Sequence, residues 1–540
     1  MSAGISKTKS WIALAAIGTI ALAGCGNASN ATPSTQKAPA QAGVEVNPYA
    51  GQALKLGEPK QGGDLTFGMG IGVENLDPTG PIGSSIALVD FQIYDQLLKF
   101  DPEGNAVPEL AESLTSEDMV EWTMKLPSGV TFHDGTAFNA EAVVAHVKRV
   151  AAEGSKSLSS GEARRIKTME TPDENTVVFT VDQKWATFPS IFAFGSLAMV
   201  PSPTAVEKHG DKFGLNPVGV GPFKVTAFSP AGKITLAKFE DYRLDDVPYL
   251  DTLTFLPALE SASRLSAVTT GDLDAGATRV AAQFDEARAA GLTVLEQPQF
   301  KSYQLMLNHK DPALADQRVR EALNSGVDRN ALNAAVFGGK HQVMTGLMTP
   351  SHPRAAEAGW PTFDKEKAAG LISEYEAEHG ELTLDFLIPQ GAEFADMTAI
   401  LQQMYKDIGL EINYTAATPP TLITSGAAGD YQVQMREPAF MPETIEGLAA
   451  AYAEGAGANQ SHGSDPKIDA LLTKAHTTAD PKEREAVILE LQEALAEWLP
   501  AVPLLSTTSG FMVGPDVQMF PGSFPNTSYE MFDARYVSVK

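Results

Sequence analysis

A single cysteine, Cys25, constrains this chain of 540 residues more than any other feature. One cysteine excludes an internal disulfide, a cysteine-based zinc site and an iron–sulfur cluster built within the chain. Apolar cores must therefore hold the fold together, and the 43% of hydrophobic residues supply enough material for them. At about 100–200 residues per domain, the length predicts about three to four domain-sized units.

The cysteine follows a segment that is typical of an export signal. Lys7 and Lys9 precede an uncharged apolar run from Trp11 to Ala23, which is shorter than the roughly 20 residues of a membrane-spanning helix. The run ends in Leu-Ala-Gly-Cys, which resembles the bacterial lipobox; a buried or reactive thiol explains this position less well. We therefore expect residues 1–24 to be a lipoprotein signal peptide and Cys25 to be the lipid attachment site. Residues 25–61 are rich in Ala, Ser and Pro, as expected of a flexible tether.

Charge and missing motifs exclude several classes of function. The chain has 40 basic and 67 acidic residues, a formal net charge of −27, whereas a nucleic-acid binder needs clustered basic residues. The sequence contains no Gly-x-Ser-x-Gly nucleophile elbow, no His-Glu-x-x-His zinc motif and no Walker A loop. We therefore expect no catalytic residue, no metal site, no cofactor and no nucleic-acid partner.

Strand and helix patterns alternate along the globular body. In one such stretch, Glu381 to Ile388 and Leu410 to Ala416 have the pattern of strands, and Ala395 to Ile408 that of a helix. This alternation predicts an α/β fold with a parallel or mixed sheet covered by helices. Nearer the N-terminus, Glu121 to Leu126 and Gly129 to His133 have the pattern of a hairpin.

Helix-capping residues mark several helix starts. Asn139, Asp316, Asp328 and Asp480 each stand at or near the start of an apolar pattern with helical spacing. After Asp480, apolar residues recur at the spacing of one helix face, which predicts a stripe that packs on a core: Val487, Leu491, Leu495 and Trp498.

A series of short motifs occurs in one order along residues 62 to 540. They are Asn-Leu-Asp-Pro at 75–78, Tyr-Asp-Gln-Leu-Leu at 94–98, Pro-Glu-Leu-Ala-Glu-Ser at 108–113, Val-Thr-Phe-His-Asp-Gly at 130–135, Asn-Pro-Val-Gly-Val-Gly-Pro-Phe at 216–223, Gly-Asp-Leu-Asp at 271–274, Asp-Gln-Arg-Val-Arg-Glu-Ala-Leu at 316–323 and Asp-Pro-Lys-Glu-Arg at 480–484. Each motif is weak alone, but together they resemble the family 5 solute-binding proteins of bacterial ABC importers, which include dipeptide, oligopeptide and nickel binders.

The resemblance implies a two-lobed clamp of the periplasmic-binding-protein type, class II, with an extra domain in the first lobe. Lobe I would comprise residues 62–93, 185–296 and 505–540. The extra domain would comprise residues 94–184, and lobe II residues 297–504. Two crossing strands would form the hinge, and the ligand would lie between the lobes, out of contact with water.

The resemblance also implies a function and partners. We expect a monomeric, exported and lipid-anchored receptor that delivers a small solute, a peptide or other amphoteric compound, to ABC permease subunits with a separate ATPase. A peptide, an opine, a sugar and a metal chelate all remain open as the ligand. The alternative is an exported lipoprotein hydrolase that acts on peptides or cell-envelope material.

Peptide-binding relatives grip the peptide's ammonium with an Asp that follows a Gly-Trp pair, and this chain lacks both. At that place it has Arg436 and Glu437, followed by Pro438, Ala439 and Phe440. Arg436 offers a planar fork to a carboxylate or phosphate, although surface solvation or a structural ion pair explains it equally well. Glu437 would pair with an ammonium or neutralise Arg436.

Five further residues are candidates for ligand contact. Arg279 follows the early strands, Tyr303 lies in the predicted crossing strand, and Asn75 lies in the loop after the first strand. Trp360 and Phe440 are aromatic side chains that stack on a ligand if they face the cleft. For each aromatic residue the competing interpretation is a place in the core.

Overall fold

The computed structural model describes residues 43–46, 53–80, 84–257, 260–520 and 530–540. The predicted signal peptide, the lipid attachment site at Cys25 and most of the predicted tether lie outside these residues. None of the helices in the described ranges is long and apolar enough to cross a membrane.

A mixed sheet of ten strands runs through the structure. Its strands, in spatial order, are Phe223–Phe228, Ile234–Lys238, Thr252–Pro257, Asp64–Met69, Ala275–Thr278, Ala501–Val513, Thr293–Leu307, Val433–Arg436, Thr383–Pro389 and Glu411–Ala417. Parallel and antiparallel pairs both occur, so the mixed α/β sheet predicted from the sequence is confirmed. We call the part built on the first five strands the first lobe and the part built on the last three the second lobe.

Two long strands belong to both lobes. Thr293–Leu307 and Ala501–Val513 pair antiparallel from Thr293 opposite Val513 to Met306 opposite Ala501. Their register is irregular between Pro298 and Ser302. Because a break in the ladder is where a strand bends most easily, this is the natural hinge between the lobes.

A separate four-stranded antiparallel sheet forms the centre of the extra domain. Its strands, in spatial order, are Ser113–Thr115, Glu121–Lys125, Thr176–Val181 and Ile166–Asp173. The helix Ala140–Ala151 packs beside this sheet, and the side chain of Asn139 accepts a 3.0 Å hydrogen bond from the amide of Ala142, which confirms the predicted N-cap.

The hairpin predicted from Glu121–Leu126 and residues 129–133 is wrong. Glu121–Lys125 pairs with Ser113–Thr115 and with Thr176–Val181 instead. Residues 130–132 fold back on residues 136–138, because the turn at Gly135, with φ of 81°, reverses the chain immediately.

The core of the extra domain extends past its sheet. Trp185, Phe188 and Phe192 are fully buried against the sheet residues Phe179 and Trp122. A domain boundary at residue 184 therefore divides one continuous aromatic core.

Helices pack on the large sheet in both lobes. The helices of the first lobe are Ser84–Ile93, Pro203–His209, Ser261–Thr270 and Ala281–Ala289. Those of the second lobe are Pro312–Ala315, Gln317–Ser325, Arg329–Phe337, Lys365–His379, Ala392–Lys406, Pro419–Ala428, Ile445–Tyr452, Pro466–Thr477 and Pro481–Trp498. The extra domain has a second helix, Ser160–Arg165. Short 3₁₀ turns span Phe188–Phe192, Gly210–Leu215 and Ala534–Tyr536, and short strand pairs join Gly43–Val46 to Ala53–Leu56, Leu98–Phe100 to Ala106–Pro108, and Val517–Met519 to Val537–Val539.

The predicted caps hold at the second-lobe helices. The carboxylates of Asp316, Asp328 and Asp480 each accept hydrogen bonds from amides of the following turn. In the last long helix the apolar stripe is buried except for Trp498, which is half-buried. The core interpretation of that stripe is therefore confirmed.

The glycines of the motif at 216–223 allow a close approach of two chain segments. A Cβ atom at Gly219 would lie 2.1 Å from the carbonyl oxygen of Ile93, and one at Gly221 would lie 2.5 Å from its carbonyl carbon. The amide of Gly221 donates a 2.8 Å hydrogen bond to the same carbonyl oxygen. This motif therefore supports the end of the helix Ser84–Ile93.

Candidate functional site

Six charged or phenolic side chains influence one another electrostatically where the long strands cross between the lobes. They come from five segments of the chain, because two of them share the strand Thr293–Leu307: Arg279, Lys301, Tyr303, Glu393, Glu437 and Glu530. Three are carboxylates and two are cations, so the group carries charges of both signs. We call it the charged cluster.

Arg279 and Glu530 form an ion pair within the first lobe. Arg279 follows the strand Ala275–Thr278, and its side chain keeps 48% of its surface exposed, whereas that of Glu530 keeps 12%. Burial opposes the charge of Arg279, but Glu530 outweighs this effect and raises the pKa of the guanidinium, with Glu437 and Tyr303 adding to it. Arg279 therefore stays cationic, with about half of its side chain exposed.

Lys301 lies at the hinge of the long strands. Its backbone forms a bridge with Ala439, which brings the segment after strand Val433–Arg436 alongside it. Burial and the charge of Arg279 lower the pKa of Lys301, while Glu437 and Glu530 act in the opposite direction. Two cations and two carboxylates thus interact at the hinge.

Tyr303 has its ring in the core of the second lobe. The ring stacks on Phe337 at 5.8 Å with an interplanar angle of 12°, and it meets the edge of Phe394 at 6.0 Å. Burial raises the pKa of Tyr303 well above its usual range, and the charges of Glu393 and Glu437 add to this effect. The phenol therefore remains protonated, and the packing of its ring on Phe337 and Phe394 fixes its position relative to the charged cluster.

Glu393 and Glu437 provide negative charge on the side of the second lobe. Glu393 is in the first turn of the helix Ala392–Lys406. Burial and the neighbouring charge of Glu437 raise the pKa of Glu393, while Arg279 opposes the shift. Because each carboxylate disfavours the charge of the other, an added cation such as the ammonium of a ligand would stabilise both.

The structure separates Arg436 from Glu437. Arg436 donates to the carbonyl of Leu422 at 3.3 Å and lies near Tyr431, and burial lowers the pKa of its guanidinium. Neighbouring residues in an extended chain point to opposite sides. Neutralisation of Arg436 by Glu437 is therefore wrong in this structure, and Arg436 is not part of the charged cluster.

The remaining predicted residues have contacts of their own. The indole N–H of Trp360 donates to the side-chain oxygen of Asn324 at 2.8 Å, in a core of the second lobe that also holds Phe440. Asn75 is exposed, accepts from the amide of Asp77 at 2.8 Å and contacts Gly214. Trp360 and Phe440 are therefore both core residues, in agreement with the competing interpretation.

Sequence reasoning missed three members of the charged cluster. Lys301 was detectable, because it stands two positions before Tyr303 in one strand and so shares its side of the sheet. Glu393 and Glu530 belong to no motif and lie far along the chain from the other members. Only the fold brings them together.

The lobes also meet through Glu446 in the helix Ile445–Tyr452. Its carboxylate accepts hydrogen bonds of 2.6 Å from the indole of Trp185 and from the hydroxyl of Thr187, and His476 lies 3.1 Å away. Burial alone would raise the pKa of Glu446, but the hydrogen bonds and the charge of His476 outweigh it and lower the pKa. An ionised carboxylate of the second lobe therefore holds the core of the extra domain.

A cavity of about 220 Å³ opens beside this contact. Its walls come from the extra domain, through Phe100, Ile191 and Phe194, and from the second lobe, through Ala439 and Met441. The described residues contain no group of three or more histidine or acidic side chains that could hold a metal ion. The cavity therefore lies between the extra domain and the second lobe.

Comparison with known proteins agrees with this geometry. A family model described as the middle part of the bacterial extracellular solute-binding proteins, family 5, matches residues 105–459. The chain belongs to this family. Family 5 proteins are the binding subunits of ABC importers and act outside the cytoplasm.

Family 5 relatives that match along most of the chain are distant in sequence but similar in length. The glutathione-binding protein GsiB of Shigella flexneri is 26% identical over 483 residues, which cover 84% of this chain and 92% of that protein. The matched proteins are named as binding proteins, so the alternative of an exported hydrolase receives no support.

Solved structures share the fold of this family 5 chain. The substrate-binding protein CtaP of Listeria monocytogenes superposes with a TM-score of 0.79 at 22% identity, covering 89% of this chain and 100% of that one. The binding protein DppA of Helicobacter pylori, in complex with the peptide STSA, has a TM-score of 0.76 at 22% identity, covering 89% and 98%. The two-lobed clamp is thereby confirmed.

Proposed function

We propose that this chain is the lipid-anchored receptor of an ABC importer and that it captures a small amphoteric compound, in the simplest case a peptide. The observation that carries the ligand class is the charged cluster, which presents cations and carboxylates together where the lobes meet. The loaded clamp then delivers its ligand to permease subunits that work with a separate ATPase.

The charges of the cluster match the two ends of an amphoteric molecule. Arg279 offers a planar fork to a carboxylate, with Lys301 beside it. Glu437 and Glu393 offer acceptors to an ammonium. A neutral sugar carries no charge that complements either the cations or the carboxylates of the cluster, so the cluster favours a peptide or an opine over a sugar.

The relatives support this class of ligand. GsiB is named for binding glutathione, and DppA was solved with the peptide STSA; both ligands carry an ammonium and a carboxylate. We infer the same class for this chain, and we infer that it acts as a monomeric receptor without catalytic activity. Turnover of the bound compound would contradict this.

The membrane attachment is part of the proposal. Lipid attachment at Cys25 would place the clamp on the outer face of the cell membrane, on the tether of residues 25–61. Expression in a bacterial host should give a membrane-bound protein whose mass includes acyl chains. Cys25→Ala should release it in soluble form; recovery of the unmodified wild-type protein from the soluble fraction would contradict the anchor.

Native mass spectrometry of the purified chain tests the ligand class directly, because a retained ligand adds its own mass. The identified compound is then titrated against thermal unfolding, where 100 times its dissociation constant adds about 2.7 kcal/mol to the free energy of unfolding. We expect Arg279→Met and Glu437→Gln each to weaken binding at least tenfold, and Glu490→Gln, on an exposed helix face, to leave it unchanged. Arg436→Met decides the competing assignment: a large loss there, with Glu437→Gln unaffected, would overturn the charged cluster as the anchor.

A further inference from the structure

The cavity beside Glu446 has a different chemistry from the charged cluster. Phe100 and Ile191 are 9% and 7% exposed, and Phe194 and Met441 are half-buried. Leu158 stands at its rim with 78% of its surface exposed. We call this cavity the side pocket; its walls are mainly hydrocarbon.

One chain segment joins the side pocket to the charged cluster. Glu437 belongs to the cluster, Ala439 bridges to Lys301, and Ala439 and Met441 line the pocket. An extended chain advances about 3.3 Å per residue, so the backbone of Ala439, which lines the pocket, lies at most about 7 Å from that of Glu437. A molecule held at the cluster reaches the pocket through a short side group.

Three acidic residues line the side pocket, and none of them would attract an anionic group of a ligand. Glu443 is paired with Arg354 at 3.1 Å, and both side chains are 5% exposed. Glu446 is held by Trp185, Thr187 and His476. Glu162 completes the wall, and burial together with the charge of Glu446 raises its pKa. An anionic group is therefore disfavoured here, whereas an apolar group finds matching walls.

We infer that the side pocket receives an apolar side group of the solute bound at the charged cluster, so that the preferred solute is an amphoteric compound with an aliphatic or aromatic substituent. This inference rests on the proposed function. The volume of about 220 Å³ equals the share of about seven liquid water molecules, which suits a branched aliphatic group or one aromatic ring. Each buried methylene improves affinity about fourfold.

The side pocket also links the preference for an apolar side group to the closing of the clamp. Its walls come from both the extra domain and the second lobe, so an apolar group inside it contacts both at once. Only a ligand with differential affinity shifts a conformational equilibrium. A solute that fills the pocket therefore favours the closed clamp more than one that leaves it empty.

Two kinds of probe test the inference. The first is 4-fluorobenzyl alcohol, a neutral aromatic molecule that tests the pocket alone by ¹⁹F line broadening. The second is a set of tripeptides Ala-Xaa-Ala with alanine, leucine, phenylalanine or aspartate in the centre, titrated calorimetrically. We expect the aromatic probe to bind, and the leucine or phenylalanine peptide to bind at least tenfold more tightly than the alanine peptide, with the aspartate peptide weakest.

Matched variants assign these effects to the side pocket. Ile191→Asp should abolish probe binding and the apolar preference, whereas Ile423→Asp, at an isoleucine that is 62% exposed, should change neither. Ala439→Leu fills the pocket without placing a charge in the core, and it should have the same effect as Ile191→Asp if that variant does not fold.

The outcomes separate the inference from the proposed function. No probe binding, or equal affinity for the alanine, leucine and phenylalanine peptides, overturns the side pocket. Probe binding that is lost in Ala439→Leu, together with no binding of any peptide, supports an apolar pocket and overturns the peptide as the ligand.

Discussion

The indole N–H of Trp185 donates a 2.6 Å hydrogen bond to the carboxylate of Glu446, across 261 positions of sequence. Trp185 is fully buried in the core of the extra domain, while Glu446 belongs to the second lobe. The bond therefore ties the two sides of the clamp together, and the hydroxyl of Thr187 donates to the same oxygen at 2.6 Å.

Glu446→Ala should destabilise the clamp. The change leaves the buried indole and hydroxyl donors without their acceptor, which costs about 1–3 kcal/mol for each unsatisfied group. We expect a clear fall in the midpoint of urea unfolding. Glu490→Ala is the control, because its ion pair with Lys474 at 3.1 Å is half-exposed on both sides and is expected to contribute at most about 1 kcal/mol. Equal shifts for the two variants would contradict an inter-lobe role of Glu446.

His476 should make this contact depend on pH. Burial opposes protonation of His476, but its hydrogen bond to Glu446 and the charge of that carboxylate outweigh burial and raise its pKa above the usual 6.5. The stabilisation is then complete below about pH 6.5 and is lost as pH rises through the raised value.

The measurement compares urea unfolding of wild type and His476→Gln from pH 5.5 to 9. The difference in free energy of unfolding should be largest at the acidic end and should shrink as pH rises. His379→Gln removes an exposed imidazole and serves as the control for a general effect of histidine loss. A difference that grows with pH would contradict the pairing with Glu446.

Asp90 should destabilise the protein at neutral pH. It is completely buried, and within the described ranges neither of its carboxyl oxygens has a hydrogen-bond partner. Burial, with a contribution from Asp77, raises its pKa well above the usual value. The folded chain therefore keeps a proton that the unfolded chain releases above about pH 4, so its stability falls as pH rises from there toward the raised pKa.

Asp90→Asn removes this dependence while it keeps the shape of the side chain. We expect thermal unfolding midpoints similar to wild type at pH 4 and higher than wild type at pH 7.5. Asp77→Asn should have the opposite effect at pH 7.5, because Asp77 is ionised and paired with Arg149. An Asp90→Asn variant that is less stable than wild type at pH 7.5 would contradict a buried neutral carboxyl.

The fold was largely predictable because its signals are local. Asn139 and Asp480 cap their helices through bonds within one turn, so neighbouring residues suffice to predict them. The hairpin at residues 129–133 failed because strand pairing depends on distant partners, here Thr176–Val181. Local patterns do not reveal such partners.

The candidate site was less predictable for the same reason. Arg279, Tyr303 and Glu437 were predicted, but Glu393 and Glu530 reach the charged cluster only through the fold. Arg436 was selected on charge and position, yet the alternation of an extended strand turns it away from Glu437. The alternation of a strand sorts its residues onto two sides, but the sequence does not show which of the two sides faces the cleft.

Gly219 should tolerate no side chain. A Cβ atom there would lie 2.1 Å from the carbonyl oxygen of Ile93, and this backbone is held by the hydrogen bond from Gly221. Because neither segment can move without breaking that contact, we expect Gly219→Ala to cost about 3 kcal/mol or more in urea unfolding. Gly370→Ala is the matched control: nothing lies within 4 Å of its Cβ position in the helix Lys365–His379, and alanine there should add about 1 kcal/mol. Loss of stability at both positions, or at neither, would contradict the close approach at Gly219.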